Sequence, residues 1–198
     1  MDLNFGWSCI YLAFAMSKRL DRDFFAQDTL TVARTLLGTK LIYNGCAGII
    51  VETEAYKDDP ASHAVTKPRK GALLRDTYGH IYIFFIYGMY HCLNFTTEKA
   101  GVGAVLIRAV EPTAGIEQMK TRRKTEQLVN LTNGPGKLFQ AFGFDPALHG
   151  EEIGKRIRLE KGLQPHKFEI AAGPRIGISQ AVDLPWRFYI QGNKFVSK

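Results

Sequence analysis

The chain has 198 residues, of which 45% are hydrophobic, 12% aromatic and 23% charged. This composition is typical of a folded domain and excludes a disordered chain, a collagen, a coiled coil and a disulfide-rich scaffold. Lys and Arg number 26 against 19 Asp and Glu, which gives a formal net charge of +7. The excess of cations suits a polyanionic partner, although a basic soluble protein without such a partner has the same balance.

The three cysteines, Cys9, Cys46 and Cys92, lie far apart in the sequence. Their odd number and the absence of a C-x-x-C pair argue against a disulfide framework and against a structural zinc site. We therefore expect reduced thiols, no metal, and an intracellular, cytoplasmic protein.

Residues 5–16 form an apolar stretch that is too short to span a bilayer, which takes about 20 residues. A secretory signal carries positive charge before its apolar core, and here Asp2 occupies that position. Two interpretations remain: an extra segment that packs on the domain, or translated sequence upstream of a start at Met16. We expect residues 1–15 to be an extra, poorly ordered segment, residues 16–198 to form one domain, and no membrane contact.

The first predicted elements are a helix and a β-hairpin. Asp28 is placed to cap a helix whose apolar residues follow a helical spacing as far as Gly38, where the helix ends. Strands are predicted at 41–43 and 48–56. The Asn-Gly dipeptide at 44–45 lies between them and favours a tight hairpin, because a type I′ turn needs positive φ at both positions.

In the rest of the chain, strands and helices follow one another without βαβ alternation. Residues 57–79 are polar and predict a long surface loop, and residues 80–95 predict two strands with a break at Gly88. Helices are predicted to start at Pro112 and at Pro135. Further strands are expected at 104–110, 157–159, 167–170, 187–191 and 194–196. This order predicts a single α+β domain.

The predicted strand at 48–56 places Glu52, Glu54 and Tyr56 on one face, because alternate strand residues share a face. On pattern alone this is an ordinary solvated face. The apolar residues before the carboxylates also fit a strand that runs from the core into a site, where a carboxylate can act as a general base. One of the two glutamates is then available to pair with an arginine.

Three further stretches contain candidate functional residues. His63 lies alone in the predicted loop, without neighbours at metal-ligand spacing, and on pattern alone is typical of a surface histidine. Residues 87–90 place tyrosines around Gly88, and such aromatic side chains can stack on bases or wedge into a duplex, or simply pack in the core. Residues 133–137 lack the Walker spacing, but a helix N-terminus with Lys137 one turn in can bind a phosphate.

Six segments occur in a particular order along the chain: 33–38 (ARTLLG), 50–56 (IVETEAY), 87–94 (YGMYHCLN), 105–112 (VLIRAVEP), 134–138 (GPGKL) and 174–178 (PRIGI). Taken together, they resemble the alkyladenine (3-methyladenine) DNA glycosylase family, the type that is not built from helix-hairpin-helix motifs. The resemblance implies a single α+β domain around a curved, mainly antiparallel β-sheet with peripheral helices. It also implies that no cofactor and no metal is used.

The resemblance implies roles for individual residues in catalysis and DNA binding. Glu54 matches the general base that activates the water attacking the sugar C1′. Arg108 matches a residue that helps to hold this water, with the backbone carbonyl of Ile176 as a further contact. Tyr87 matches the wedge that fills the gap left by the flipped nucleotide, and Lys137 matches a phosphate contact. The product is then an abasic site, without strand cleavage.

The base pocket is implied by four more positions. Tyr56 and His63 match the residues on the two faces of the flipped base, and Asn94 matches the residue that crowds the exocyclic amine of guanine. Phe84 stands where the family has a second pocket tyrosine, and the missing hydroxyl affects the range of lesions more than the reaction. The expected substrates are 3-methyladenine, 7-methylguanine, hypoxanthine and ethenoadenine in double-stranded DNA.

Phosphate contacts without sequence preference are expected from a set of basic residues: Lys67, Arg69, Lys70, Lys120, Arg122, Arg123 and Lys137. The chain is expected to act as a monomer. The alternative is a non-catalytic nucleic-acid-binding module on the same scaffold, whose basic and aromatic residues would be identical. Glu54 and Arg108 discriminate between the two functions, because a pure binder gains nothing from a carboxylate beside a polyanion.

Overall fold

The computed structural model describes residues 19–86 and 88–197. The expectations for residues 1–15, for Cys9 and for Tyr87 fall outside these residues. Within them the strands are β1 Lys40–Tyr43, β2 Cys46–Tyr56, β3 Ile81–Ile86, β4 Tyr90–Thr96, β5 Ala104–Ala114, β6 Arg158–Glu160, β7 Ile170–Gly173 and β8 Arg187–Ile190. The α-helices are α1 Thr29–Thr35, α2 His63–Thr66, α3 Ile116–Arg123 and α4 Pro135–Phe142.

The strands form one curled, antiparallel sheet in the order β3-β4-β5-β2-β1-β6. Strand β2 is its centre. One edge of β2 pairs with β5, while the other pairs with β1 along its first half and with β8 along its second half. Strand β7 adds to β8. The predicted α+β fold around a curved, mainly antiparallel sheet is therefore confirmed.

The main hydrophobic core gathers alternate residues of the central strands. Val51 and Ala55 of β2, Leu93 of β4 and Val105 and Ile107 of β5 are fully buried in it. Side chains of α1 and α4 belong to the same core, so these helices cover that face of the sheet. Because side chains alternate along a strand, the residues between these core positions turn to the opposite face. No helix in the described part of the chain is long and apolar enough to cross a bilayer.

Local sequence signals account for helix α1 and the first hairpin. The carboxylate of Asp28 accepts hydrogen bonds from two backbone N–H groups in the first turn of α1, as an N-cap does. Asn44 and Gly45 have φ angles of 45° and 77°, the positive values that a type I′ turn requires. Both predictions are confirmed. Each could be made from the sequence because it depends on residues only a few positions apart.

The predicted helix start at Pro112 is wrong. Pro112 lies inside β5, opposite Gly48 and beside an irregularity in the register of β2, where the ladder is already interrupted and a proline is tolerated. Gly48 permits this close approach, since a Cβ atom there would lie 2.6 Å from the carbonyl oxygen of Glu111. Helix α3 begins only at Ile116, after Gly115 with its positive φ.

Three other local predictions are corrected. The segment 57–79 is not simply a loop, because it contains α2 and a 3-10 turn at Ala72–Leu74. Leu74 is buried in a second apolar cluster, which explains why this segment is ordered around the sheet. The strand expected at 167–170 begins three residues later, as β7 at Ile170–Gly173. Residues 194–196 form no strand. The apolar pattern there comes from Phe195, whose ring is buried in the main core.

Candidate active site

A cavity of about 490 Å³ lies on the face of the sheet opposite the core residues. It is lined by alternate residues of four neighbouring strands: Tyr82, Phe84, Cys92, Asn94, Leu106, Arg108 and Tyr56. The strand register aligns Tyr82, Asn94, Leu106 and Glu54 in one row across β3, β4, β5 and β2. A concave, largely apolar cavity of this volume with aromatic side chains and a few convergent polar groups is typical of a site for a small ligand.

Arg108 reaches two glutamates of β2 because the ladder between β2 and β5 is irregular at this point. The register steps from Ala109 to Ile107 opposite consecutive residues of β2, so that Arg108 has no paired residue. Its Nη1 lies 3.1 Å from Glu54 Oε1 and its Nε lies 3.4 Å from Glu52 Oε1. Irregularities of this kind re-aim side chains beside active sites, and here one brings three charged groups together.

Glu54 is fully buried and is held by residues that line the cavity. The Tyr56 hydroxyl donates to its Oε2 at 2.8 Å, and the backbone N–H of Ile176 donates to its Oε1 at 2.7 Å. Glu54 lies directly behind these residues and Arg108, which form part of the cavity wall. The contact from Ile176 is made by its N–H, and a role for its carbonyl stays a prediction.

Glu52 is also fully buried, so the interpretation of this strand face as solvated is wrong. Its carboxylate accepts hydrogen bonds from Arg187 Nη1 at 3.0 Å and from the Ser197 backbone N–H at 2.7 Å and Oγ at 2.9 Å. Sequence reasoning expected one glutamate to pair with an arginine, and the structure gives Glu52 both Arg108 and Arg187. It missed Arg187 and Ser197, which lie 135 and 145 positions away from Glu52, because no local pattern relates residues so far apart.

Tyr56 is backed by a buried ion pair. Burial, followed by the negative charge of Glu54, raises the pKa of the Tyr56 hydroxyl, which therefore stays protonated and donates a hydrogen bond to the carboxylate. The Arg175 guanidinium lies 4.7 Å from the centre of the Tyr56 ring, within the range of a cation–π contact. Arg175 in turn forms a bidentate pair with Asp59, at 2.7 and 3.1 Å.

His63, at the start of α2, packs against Phe84 with 3.6 Å between ring centroids. Its Nδ1 lies 3.2 Å from the Tyr82 hydroxyl. Burial lowers the pKa of His63 to about 4, with the charges of Lys67 and Lys70 adding to the effect, so the imidazole is neutral at pH 7. Sequence reasoning missed Tyr82, although its alternation with Phe84 along β3 was a usable signal.

Asn94 and Cys92 form part of the cavity floor. The amide nitrogen of Asn94 donates to the backbone carbonyls of Tyr82 at 3.1 Å and Cys92 at 3.3 Å, which uses both of its hydrogens. Burial raises the pKa of the Cys92 thiol to about 11, and the thiol is protonated at neutral pH. In the described part of the chain no group of three or more His, Cys, Asp or Glu side chains is placed to hold a metal ion.

The predicted phosphate contacts fall into two groups. Lys67 lines the cavity with its Nζ 4.5 Å from the centre of the Phe84 ring, and Arg69 and Lys70 follow it as exposed residues. Lys137, in the first turn of α4, donates to Asn133 Oδ1 at 2.9 Å. The structure therefore brings Lys67 to the cavity, and α4 begins at the cavity wall through its first residue, Pro135.

The basic run at the end of α3 has partners within the protein. Arg122 donates to the carbonyl oxygens of Ala141 and Phe142, at the end of α4. Lys120 pairs with Glu117 at 3.0 Å and with Glu126 at 3.1 Å. Arg122 therefore links α3 to the end of α4, whereas Lys120 is paired locally, and phosphate contacts by this run stay a prediction.

The chain is similar to known proteins over most of its length. The methylpurine-DNA glycosylase (MPG) family matches residues 23–194. A relative from Prosthecochloris aestuarii is 47% identical over 191 residues, which cover 91% of each chain. Relatives from Agrobacterium fabrum and Bacillus cereus are 44% and 43% identical, covering 93% and 89% of this chain and 95% and 97% of their own. All three bear the assigned name 3-methyladenine DNA glycosylase. The chain therefore belongs to the methylpurine-DNA glycosylase family, a family of enzymes that hydrolyse N-glycosyl bonds.

Proposed function

We propose that this protein flips a damaged purine out of double-stranded DNA into the cavity and hydrolyses its N-glycosidic bond. The observation that carries this proposal is the fully buried Glu54, paired with the cavity-lining Arg108 at 3.1 Å behind a largely apolar cavity of about 490 Å³. A base in a duplex cannot be reached until it is rotated out of the stack, and the cavity offers the flipped base a pocket.

Glu54 acts as the general base of the reaction. A carboxylate oxygen has two lone-pair sites, and Oε2 receives one donor from the described residues, the Tyr56 hydroxyl, so it retains capacity for a water proton. The water oxygen bonds to the sugar C1′ as the C1′–N bond breaks. Its proton passes to Glu54, and the electron pair of the broken bond leaves with the purine. Arg108 orients the carboxylate and helps to hold the water, with the Ile176 carbonyl as a second contact.

The pocket selects damaged purines through stacking and shape. Flipping costs a few kcal/mol, and stacking on an aromatic side chain returns about 1–3 kcal/mol per base. Tyr56 covers one face of the base and His63, packed on Phe84, covers the other. Asn94 crowds the exocyclic amine of guanine and so disfavours undamaged guanine. The substrates are 3-methyladenine, 7-methylguanine, hypoxanthine and ethenoadenine, and alkylation at N3 or N7 makes the purine a good leaving group.

The enzyme is monofunctional and leaves an abasic site. A lyase step needs an amine or another nucleophile to attack C1′, and the Cys92 thiol in the cavity wall is protonated at neutral pH. Lys67 is the amine to test, because it lines the cavity with its Nζ 4.5 Å from the centre of the Phe84 ring. Tyr87 fills the gap in the duplex, and Lys67, Arg69, Lys70 and Lys137 contact phosphates. The protein acts as a monomer.

A non-catalytic nucleic-acid-binding module is the alternative function. Membership in a family of N-glycosyl hydrolases argues against it. A binder of phosphates also gains nothing from two buried carboxylates beside a polyanion, since the desolvation penalty of a buried ion pair can exceed its Coulombic gain. Both observations favour the enzyme.

The test uses duplexes that contain a single hypoxanthine or ethenoadenine, together with methylated DNA, followed by alkali to cleave abasic sites. Wild type and the control Glu151→Gln, whose carboxylate pairs with Arg156 outside the cavity, are expected to give alkali-dependent products. Glu54→Gln is expected to bind lesion DNA and to lose excision by roughly 10²–10⁴-fold, the usual contribution of a general base.

Three outcomes would contradict parts of this proposal. Robust excision by Glu54→Gln would show that Glu54 is not the general base. Strand cleavage without alkali that disappears in Lys67→Met would make the enzyme a lyase. No product on any substrate, together with lesion-independent binding, would favour the binding module.

A further inference from the structure

Ser197 links the buried Glu52 of β2 to Arg108, which in turn pairs with the buried Glu54. Its hydroxyl donates to Glu52 Oε1 at 2.9 Å and accepts a hydrogen bond from Arg108 Nη2 at 3.2 Å. Its backbone N–H donates to Glu52 Oε2 at 2.7 Å. Ser197 is itself buried, so these bonds are shielded from water and are correspondingly strong.

Arg108 faces two carboxylates that compete for it. Its Nε lies 3.4 Å from Glu52 without forming a hydrogen bond to any described residue, whereas its Nη1 lies 3.1 Å from Glu54. Glu52 obtains its hydrogen bonds from Arg187 and Ser197 instead. Because these donors satisfy Glu52, Arg108 is free to direct Nη1 to Glu54.

Ser197 is held in place by the core and not by the cavity. In residues 193–197, the Phe195 ring is buried in the main core, and the Asn193 side chain donates to Glu111 Oε2 at 2.8 Å. Asn193 Oδ1 also accepts a hydrogen bond from the backbone N–H of Phe195 at 2.9 Å. This segment therefore presents Ser197 to Arg108 in one fixed position.

We propose that Ser197 is a positioning residue for the reaction, which sets the contact of Arg108 with Glu54 by satisfying Glu52 and holding Arg108 Nη2. This inference rests on the proposed function of Glu54 and Arg108. Without the Ser197 hydroxyl, Glu52 loses a donor in a fully buried position, and Arg108 is drawn towards it and away from Glu54. Displacement of Arg108, which orients the general base Glu54, lowers the rate of the chemical step more than it lowers the binding of damaged DNA.

The experiment compares wild type with Ser197→Ala, Ser197→Thr and Thr53→Val. Ser197→Thr keeps the hydroxyl. Thr53→Val is the matched control, because it removes another buried hydroxyl of β2, one that donates to the Ala33 carbonyl at 2.9 Å on the opposite face. Single-turnover excision rates are measured together with the equilibrium affinity for lesion-containing duplex, and thermal unfolding reports the stability of each variant.

Ser197→Ala is expected to lower the single-turnover rate by roughly 5–10-fold, the size expected for one lost hydrogen bond, with lesion affinity within about twofold of wild type. Ser197→Thr is expected to restore most of the rate. Thr53→Val is expected to lower the unfolding temperature while leaving the rate unchanged. If Ser197→Ala does not fold, Ser197→Cys keeps the volume with weaker hydrogen bonding and carries the same expectation.

Equal rates for folded Ser197→Ala and wild type would overturn the proposal, and so would an equal loss of rate in Thr53→Val. A loss of affinity that accounts for the whole loss of activity would also overturn it, since the role would then be in binding. Failure of the proposed function is distinguishable, because it appears as an inactive wild type or as an active Glu54→Gln.

Discussion

The ion pair behind Tyr56 allows a quantitative test of how the cavity wall is held. Arg175 has a fully buried side chain, and it donates to both oxygens of Asp59 and to the Ala55 carbonyl at 3.0 Å. It thereby ties the loop that carries Asp59 to the end of β2. Replacing Arg175 by methionine keeps much of the volume and removes every one of these bonds.

The magnitude follows from what remains around Asp59. Breaking a buried ion pair from one side costs about 3–5 kcal/mol, because an uncompensated charge is left behind. Asp59 retains hydrogen bonds from the backbone N–H groups of Ala61 at 2.9 Å and Lys57 at 3.1 Å, which places Arg175→Met at the lower end, about 3 kcal/mol. For a chain of this length, this corresponds to a fall in Tm of about 6–12 °C.

The assay is urea unfolding at pH 7 on a double-mutant cycle of Arg175→Met and Asp59→Asn. Asp59→Asn is expected to recover part of the loss in the Arg175→Met background, because it removes the unpaired charge. Arg156→Met removes an exposed arginine that pairs with Glu151 and Asp145, and it serves as the control with a nearly unchanged midpoint. A loss below about 1 kcal/mol in Arg175→Met, or no recovery in the double variant, would refute the reasoning.

The same pair predicts a pH dependence. Burial raises the pKa of Asp59, but the hydrogen bonds from Arg175 and from backbone N–H groups outweigh this and hold the pKa below its ordinary value of about 3.9. A carboxylate with a lowered pKa in the folded state stabilises the protein above pH 4, and this stability is lost as the pH falls through the folded value. The stability difference between wild type and Arg175→Met should therefore narrow below about pH 4.

Three further predictions concern other parts of the site and fold. Lys137→Ala should make the slope of log K against log salt for DNA binding less negative by about 0.9, if Lys137 contacts one phosphate. His63→Gln and wild type should show excision profiles of the same shape between about pH 5.5 and 8, since His63 titrates with a pKa of about 4 and stays neutral there. Gly48→Ala should destabilise the fold by about 1–3 kcal/mol in urea unfolding, since the new Cβ would lie 2.6 Å from the Glu111 carbonyl oxygen.

Local chemistry explains which elements were predicted correctly. The cap at Asp28 and the turn at Asn44 and Gly45 each depend on the φ angles and side-chain oxygens of neighbouring residues, and both are present as expected. Pro112 shows the limit of such signals. A proline is compatible with a helix start and with an interrupted strand, and the approach of Gly48 on the paired strand decides between them.

In the cavity too, the local sequence pattern predicted one property of the site and the packed structure decided another. Alternation along β2 correctly placed Glu54 and Tyr56 on one face, where the hydroxyl of one donates to the carboxylate of the other. Alternation did not show whether that face is solvated. The structure shows that this face is buried, because β5 and β8 pair with β2 and enclose both glutamates. The strand pattern of β2 alone does not contain these neighbours.

The sequence by itself determined the family resemblance, the α+β class and the candidate residues of the site, because these depend on short segments and their order. Only the tertiary structure decided which charges meet. Arg108 reaches the glutamates through an irregular register, Arg175 contacts Ala55 across 120 positions, and Ser197 contacts Glu52 across 145. Such contacts depend on how distant strands pair and where buried charges find partners, and no periodicity in one segment records that outcome.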